Sequence, residues 1–580
     1  MRRQIMPAIK RPTKVTLEGH GDLTLRTADY VTEGGEGAIY RKGNHIIKLY
    51  HDPQKMQQDN MPEKVRLLGS SLTHPSIVTP KGLVIGSKGA IGYYMPYVTG
   101  EAYPRLFTND FRNQNGIDTP GVTHLATKMH EVVGYAHGQG ALLVDANELN
   151  WLADIKDVRQ PTPYVIDVDS WQIDRFKASV IMPSIRDWHG SISEASDWFS
   201  WGIVTFLLYT GIHPYKGKLD GYKPGELEQR MKDNASVFVP GVRLNKAVRD
   251  FGIIPGPLLD WYQATFTQGE RTLPPSPQAT GKANTNLGQI MRVVTTQSGG
   301  LIFERLLEVH GEQVVSIWPC GVVRTNAGTL VDVATKRTIR QTSSGRVAVV
   351  SRDNGWVIVE EHNGNWLWRF VSRQGTESML SVPLTATTVL RSGERLFAVT
   401  ESELIELTLQ AFSKPVLTLG NRWQILGKST RWFSEVGISD VLGAMHLIAP
   451  YGADAVAMVR TAELDGLTVV NAKAGTRFVV VVTVNQNGEY EEHRFAFDKN
   501  WKQYQYDREL VDGPELNLTI LPKGVTASIK DDGELIIAVP FQGDKKVVSD
   551  KDIGTNLRLA HIGDKVVYRK DGALWQLRMR

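Results

Sequence analysis

Two textures of hydrophobic and polar positions divide the chain near residue 290. In the first, short alternating runs are mixed with longer stretches apolar at helical spacing; in the second, brief alternating runs are broken every few residues by turn chemistry. Residues 24–50 read TLRTADYVTEGGEGAIYRKGNHIIKLY, a glycine cluster between β-like runs. Within it, residues 39–41 and 45–50 form a hairpin pattern across Lys42, Gly43 and Asn44. Residues 52–68 have helix character, GAIGYYMPYVTGE reads as a strand ending at Pro96, and residues 123–137 predict an amphipathic helix. Two brief apolar runs, 141–144 and 164–166, each stop at an aspartate, Asp145 and Asp167, with Asn150 five residues after the first. Residues 198–209 are apolar on nearly every face, which predicts a helix buried all round. Helical segments near 225–234 and 257–266 follow, closed by the turn residues of GERTLPPSP.

The run TLPPSPQATGKANTNLGQ has little periodicity and reads as a linker. Beyond it, Asn354-Gly355, Asn487-Gly488 and Asp571-Gly572 carry the chemistry of hairpin turns. The 283 residues from Ser298 to Arg580 would hold six or seven four-stranded units at about 40 to 45 residues each. The expected architecture is therefore a multidomain chain, α+β then all-β. A basic tail would span 1–20, an α+β unit 21–282, a linker 283–297 and a β-propeller 298–580, with two β-sandwiches as the competing reading of the last part. Trp356, Trp366, Trp368, Trp423, Trp432 and Trp575 read as packing between blades rather than as a binding platform.

Composition adds exclusions. A hydrophobic fraction of 41% and a charged fraction of 22% belong to a globular chain, not a disordered one. The formal charge of +4 has its clearest local source in Arg2, Arg3, Lys10, Arg11 and Lys14, without interleaved aromatics, so no nucleic-acid partner is expected. Cys320 is the single cysteine, which rules out an intramolecular disulfide and a multi-cysteine zinc site. No apolar stretch of about 18 residues occurs, so no membrane partner is expected and the protein reads as cytoplasmic.

The candidate chemistry lies in the first half. Gly34, Gly35 and Gly37 let backbone approach a phosphate closely. Lys48, on the strand returning past that turn, can reach the same anion, although a lone strand lysine also reads as a solvated edge charge. Asp145, Asn150 and Asp167 combine a carboxylate able to accept a proton with oxygens suited to Mg²⁺. Asp and Asn also mark ordinary turns, and Asp197 at the start of the buried helix also reads as a cap. HEVVG at His130 lacks the second histidine of a zinc-protease helix, and GLVIGSK at Gly82 has the wrong spacing for a Walker loop.

In order and spacing, residues 20–280 resemble a protein kinase domain, and most nearly the bacterial eukaryotic-type kinases whose loops read D-x-N-x-x-N and I-D-x-D-S-x-Q, here DANELN and IDVDSWQ. The resemblance implies a bilobal fold, ATP and Mg²⁺ as cofactors, and Ser/Thr phosphorylation of a protein substrate. It assigns Gly34 and Gly37 to the phosphate loop with Gly35 between them, and Ile39 to the adenine cover. Lys48 and Glu63 become the ion pair that orients phosphates, with Met95 as gatekeeper beside Tyr97 and Val98 at the hinge. Asp145 becomes the base, Asn150 and Asp167 the metal ligands, and Asp197 the loop anchor. Several positions depart from the pattern. Thr32 replaces the first loop glycine, Leu143 and Val144 replace His and Arg before the base, and Asn147 replaces a lysine. Val168 and Asp169 follow the metal aspartate in place of Phe and Gly, and MPS at Met182 stands where A-P-E is expected. The expected function is an ATP- and Mg²⁺-dependent protein kinase whose propeller binds a protein partner. The alternatives are a pseudokinase scaffold and a small-molecule phosphotransferase.

Overall fold

The computed structural model describes residues 11–579 apart from 179, 285–290, 293–299, 344, 363, 411–413, 532, 544 and 555. The chain opens with a seven-stranded sheet built from β1 (Thr13–Leu17), β2 (Gly21–Leu25), β3 (Tyr30–Glu33), β4 (Gly37–Lys42), β5 (His45–Tyr50), β6 (Gly82–Gly86) and β7 (Gly89–Pro96), in the order β2-β1-β6-β7-β5-β4-β3. Its alternating residues place Val15, Leu17, Tyr40, Ile47, Leu49 and Val84 on one buried face. β1 already pairs with β2 and β6, so the sheet begins inside the stretch read as a basic tail. Residues 1–10 of that tail lie outside the described residues.

Eight helices occur among the described residues: α1 (Pro53–Gln58), α2 (Met61–Ser71), α3 (Tyr103–Phe107), α4 (Asn109–Asn115), α5 (Thr119–Gly138), α6 (Glu194–Thr210), α7 (Leu227–Lys232) and α8 (Gly256–Thr267). The largest apolar core gathers around α5 and α6 and includes Trp151, Trp171 and Val165 from the intervening loops. α6 is buried along its whole length from Ser196. The Ser193 hydroxyl accepts the Ser196 amide at its start, and Gly211 at φ 81° ends it in the left-handed conformation that glycine adopts at no steric cost. No helix among the described residues is long and apolar enough to cross a membrane.

From Leu301 onward the described residues form seven four-stranded antiparallel sheets. Six use four consecutive strands each, whereas the seventh pairs Leu301–Leu307 with Ala573–Met579 over the register Leu301↔Met579 to Leu307↔Leu574. Apolar clusters join each sheet to the next. Trp318 and Leu330 meet Val349 and Trp356, Val359 and Trp368 meet Leu396 and Leu407, and Leu307 and Leu574 meet Val314 and Val323. Of the stretch read as linker, Met291–Arg292 pairs in parallel with Arg243–Leu244, and residues 285–290 and 293–299 lie outside the described residues.

The structure corrects the expected fold class. The chain is mostly β, 41% strand against 19% helix, in many separate four-stranded antiparallel sheets; it is not a bilobal kinase fold with a helical C-terminal lobe. Four of the eight helices run seven residues or fewer. Strand outweighs helix because each sheet of the second half takes four strands, whereas only α5 and α6 among the described helices exceed twelve residues.

Leu574 is fully buried between Val567 and the sheet of Val314 and Val323. Leu574→Ala should therefore destabilise the protein by about 2–5 kcal/mol in urea unfolding, because the surrounding strands cannot collapse into the space left.

Candidate functional site

Strand alternation sets the first half of the site. Lys48 and Tyr50 share one face of β5, and Lys48 pairs across the sheet with Tyr93 of β7. On its other side β5 pairs with β4, Ile39 lying opposite Lys48. The glycine turn closes on itself through Gly34 N–H donating to Gly37 O at 2.9 Å. At Gly37 any Cβ would strike the Leu49 carbonyl, so the close approach of β4 to β5 requires glycine there.

The second half of the site consists of two loops fastened to α6. Asp197, in its first turn, accepts the amides of Leu143 at 2.7 Å and Val144 at 2.8 Å, and its Oδ2 lies 2.9 Å from His137 Nε2. Val144 is thereby held at φ 60°, which turns the chain into Asp145. Asn150 Nδ2 donates to Asp145 O at 2.7 Å, and Ile166 N–H donates to Asn150 O at 2.9 Å, tying the Asp145 loop to the Asp167 loop. The short hairpin of Trp151–Asp154 with Thr162–Val165 sets this juxtaposition.

The two halves meet at Lys48. Its ammonium lies 2.8 Å from Asp167 Oδ1, 2.8 Å from Asp169 Oδ2 and 3.5 Å from Glu36 Oε2. Asp169 is fully buried and also accepts the hydroxyls of Tyr50 at 2.5 Å and Tyr93 at 2.7 Å. Burial works to raise the Asp169 carboxyl, but Lys48 and these hydroxyls outweigh it and hold the group down to about 2. Burial likewise opposes the charge on Lys48, and the two aspartates overcome it, raising its ammonium well above the usual range. Asp167 is the more open partner, its side chain 39% exposed.

Glu63 does not pair with Lys48. Its carboxylate lies 2.5 Å from Arg175, both side chains more than half exposed. α2 instead turns the adjacent Lys64 inward, where the ammonium donates to Asp169 O at 2.6 Å. The ion pair expected between Lys48 and Glu63 is therefore corrected to Lys48 with Asp169 and Asp167. The reason is helical phase: of two neighbouring residues on α2, only one can face the sheet. Asp169, Tyr50, Tyr93 and Lys64 are the residues that sequence reasoning missed. Two signals pointed to two of them: Tyr50 lies two positions after Lys48 in the same alternating frame, and Asp169 stands two residues after Asp167.

At the edge of the site Met95 is buried opposite Ile46. Tyr97 donates its amide to Asn44 O at 2.8 Å, and its ring lies 3.8 Å from the Arg41 guanidinium. Val98 packs with Met95 and Ile166 in one apolar cluster. Asp145 is the remaining acid. Burial pushes its carboxyl up to about 6, the amide of Met182, 2.8 Å from Oδ1, opposes this, and Asp167 adds to it.

Among the described residues no group of three or more His, Cys, Asp or Glu side chains could hold a metal ion. Asp167 and Asn150 alone supply two oxygens. That donor set fits Mg²⁺ held jointly by one carboxylate, one amide oxygen and phosphate oxygens, and does not fit an all-protein metal cage. No protein-family model matches the chain, and no curated protein matches it.

Asp169→Asn should cost roughly 3 kcal/mol of stability, since it leaves a buried ammonium short of its principal counterion. Glu63→Gln should cost less than about 1 kcal/mol, as expected for an exposed pair. Chemical unfolding of the two variants beside the parent protein checks the contrast.

Proposed function

We propose that the protein is an ATP- and Mg²⁺-dependent phosphotransferase acting on a Ser or Thr hydroxyl of a protein substrate. The observation that carries this reading is the convergence of Lys48, Asp167, Asp145 and Asn150 beside the glycine turn. The site's own polar groups support the reading; it does not rest on overall architecture. Lys48, with Asp169 as fixed counterion, orients phosphate oxygens, and the glycine turn of residues 34–37 covers them with backbone amides. Mg²⁺, when bound through Asp167 and Asn150, supplies charge neutralisation to the phosphate oxygens. Asp145 accepts the proton of the substrate hydroxyl. The sheets of the second half offer the surface for a protein partner, and the single cysteine fits a cytoplasmic setting.

One observation favours a second reading, a scaffold that binds nucleotide weakly or not at all: Asp145 Oδ1 already accepts the Met182 amide. Two variants separate the readings. Asp167→Asn should weaken binding of ATP with Mg²⁺ as well as transfer, because a neutral amide balances less of the ion's charge. Asp145→Asn should leave nucleotide affinity nearly intact while transfer falls by about 10² or more. ATP affinity and phosphate incorporation are measured for each folded variant. If the parent protein transfers nothing to several acceptors, or if Asp145→Asn matches it, the scaffold reading replaces the catalytic one.

The pH profile gives a further check. A base must be deprotonated, so transfer should rise as pH increases through about 6, where Asp145 titrates. The stability contribution runs the other way. A carboxyl raised above its unfolded value favours the fold at low pH, and that contribution is lost as pH rises from the unfolded value of about 3.9 through about 6. Asp145→Asn should remove both dependences.

A further inference from the structure

We propose that the turn at residues 485–489 of the second half holds the acceptor side of the Asp145 site shut, and that displacing this turn opens the site to a protein substrate. The inference rests on the phosphotransfer reading above and adds its regulation.

The turn is stiff. It joins Phe478–Val484, buried at every position, to Tyr490–Phe497 over the full register Phe478↔Ala496 to Val484↔Tyr490. Inside it, Asn485 Oδ1 accepts the amides of Asn487 at 2.9 Å and Glu489 at 3.0 Å, and Gly488 N–H donates to Asn485 O at 3.0 Å. A hairpin tip braced in this way moves with its sheet and not independently of it.

Its tip presses on the segment that covers Asp145. Ser184 N–H donates to Asn487 O at 3.1 Å. Gly488 sits at φ 77°, and a Cβ there would collide with the Ser184 side chain and lie 2.9 Å from Met182 Sδ. From the opposite side, Ser184 O lies 2.9 Å from His213 Nε2 and Ile185 O accepts the Ser200 hydroxyl at 2.8 Å. The segment is thus gripped between α6 with its following loop and the turn. So held, Met182 keeps its amide 2.8 Å from Asp145 Oδ1. The residue after the turn adds a second fastening, the Tyr490 hydroxyl donating at 3.2 Å to Glu148 Oε1, three residues from Asp145 and buried.

The consequence is steric. A base must come within about 2.6–3.2 Å of the hydroxyl it serves, and a hydroxyl approaching Asp145 Oδ1 meets the Met182 backbone first. With Ser184 bonded to Asn487 O and no room for a Cβ between Gly488 and Ser184 or Met182 Sδ, displacing the turn releases the segment that holds Met182 against Asp145.

The test substitutes Gly488→Asn in the full-length protein. Asparagine tolerates positive φ better than other side-chain-bearing residues, so the hairpin is retained while its new side chain pushes Ser184 and Met182 aside. Hydrogen exchange at the Met182 amide should accelerate by about tenfold or more. Phosphate transfer to an added acceptor protein should rise several-fold, with ATP affinity within about twofold of the parent. Unchanged Met182 exchange in the folded variant overturns the inference, and so does faster exchange with unchanged or lower transfer in a protein that transfers phosphate. Faster exchange with no transfer from either protein upholds the closure and removes the phosphotransfer reading, so the two fail separately. Should Gly488→Asn not fold, Ser184→Val crowds the same contact with one added methyl group and is judged by the same readouts.

Discussion

A buried ammonium is costly unless it is fully paired. Lys48 meets this constraint by drawing carboxylates from a loop more than a hundred residues away, Asp167 and Asp169, into contact with the centre of the sheet. Much of the site follows from that pairing. Tyr50 and Tyr93 saturate Asp169, Lys64 bonds its carbonyl, and the Asp167 loop stays attached to the Asp145 loop through Ile166 and Asn150. A fully satisfied network of this kind is rigid, and losing one member strands the others in low dielectric.

The division of labour between the two aspartates has chemical value. A lysine with a single counterion would have to give it up to meet a phosphate. Here Asp169, fully buried, keeps the charge paired, and under the proposed phosphotransfer the more open Asp167 is the partner that exchanges lysine for a metal ion. Burial, with Asp167 adding to it, raises the Asp145 carboxyl, which under the proposed phosphotransfer suits a group that takes up a proton near neutrality.

Polar groups of the second half reach elements that lead into the site. Asp440 accepts the hydroxyls of Tyr30 and Thr32 at 3.1 Å each, fastening the strand that leads into the glycine turn. Thr32 is the residue that departs from the glycine of the kinase pattern, and this contact gives its hydroxyl a use. Lys428 bridges Asp29 and Arg41 O, and Glu515 accepts the Asn109 amide at the start of α4 while Arg569 pairs with Asp110. These contacts tie the strand that leads into the glycine turn and the start of α4 to the second half.

Local patterns were legible in the sequence. The alternating frame of residues 45–50 forms β5, the all-round apolar stretch at 198–209 lies within α6, and Asn487-Gly488 forms a hairpin turn, because each is dictated by neighbours a few residues apart. The same holds for the Asp145, Asn150 and Asp167 loops, whose D-x-N-x-x-N spacing brings the Asn150 amide back onto the Asp145 carbonyl. The expected fold class did not survive, because the chain is richer in strand than a fold with a helical C-terminal lobe allows. What only the tertiary structure decided was partnership. Lys48 was expected to pair with Glu63, and the phase of α2 together with the packing of the Asp167 loop gave it Asp169 and Asp167 while turning Glu63 to Arg175. Likewise nothing near Gly488 announces Ser184. Charge pairing and steric contact act over a few ångströms in space, whereas sequence records distance along the chain, so long-range partners emerge only when the sheets and helices have packed.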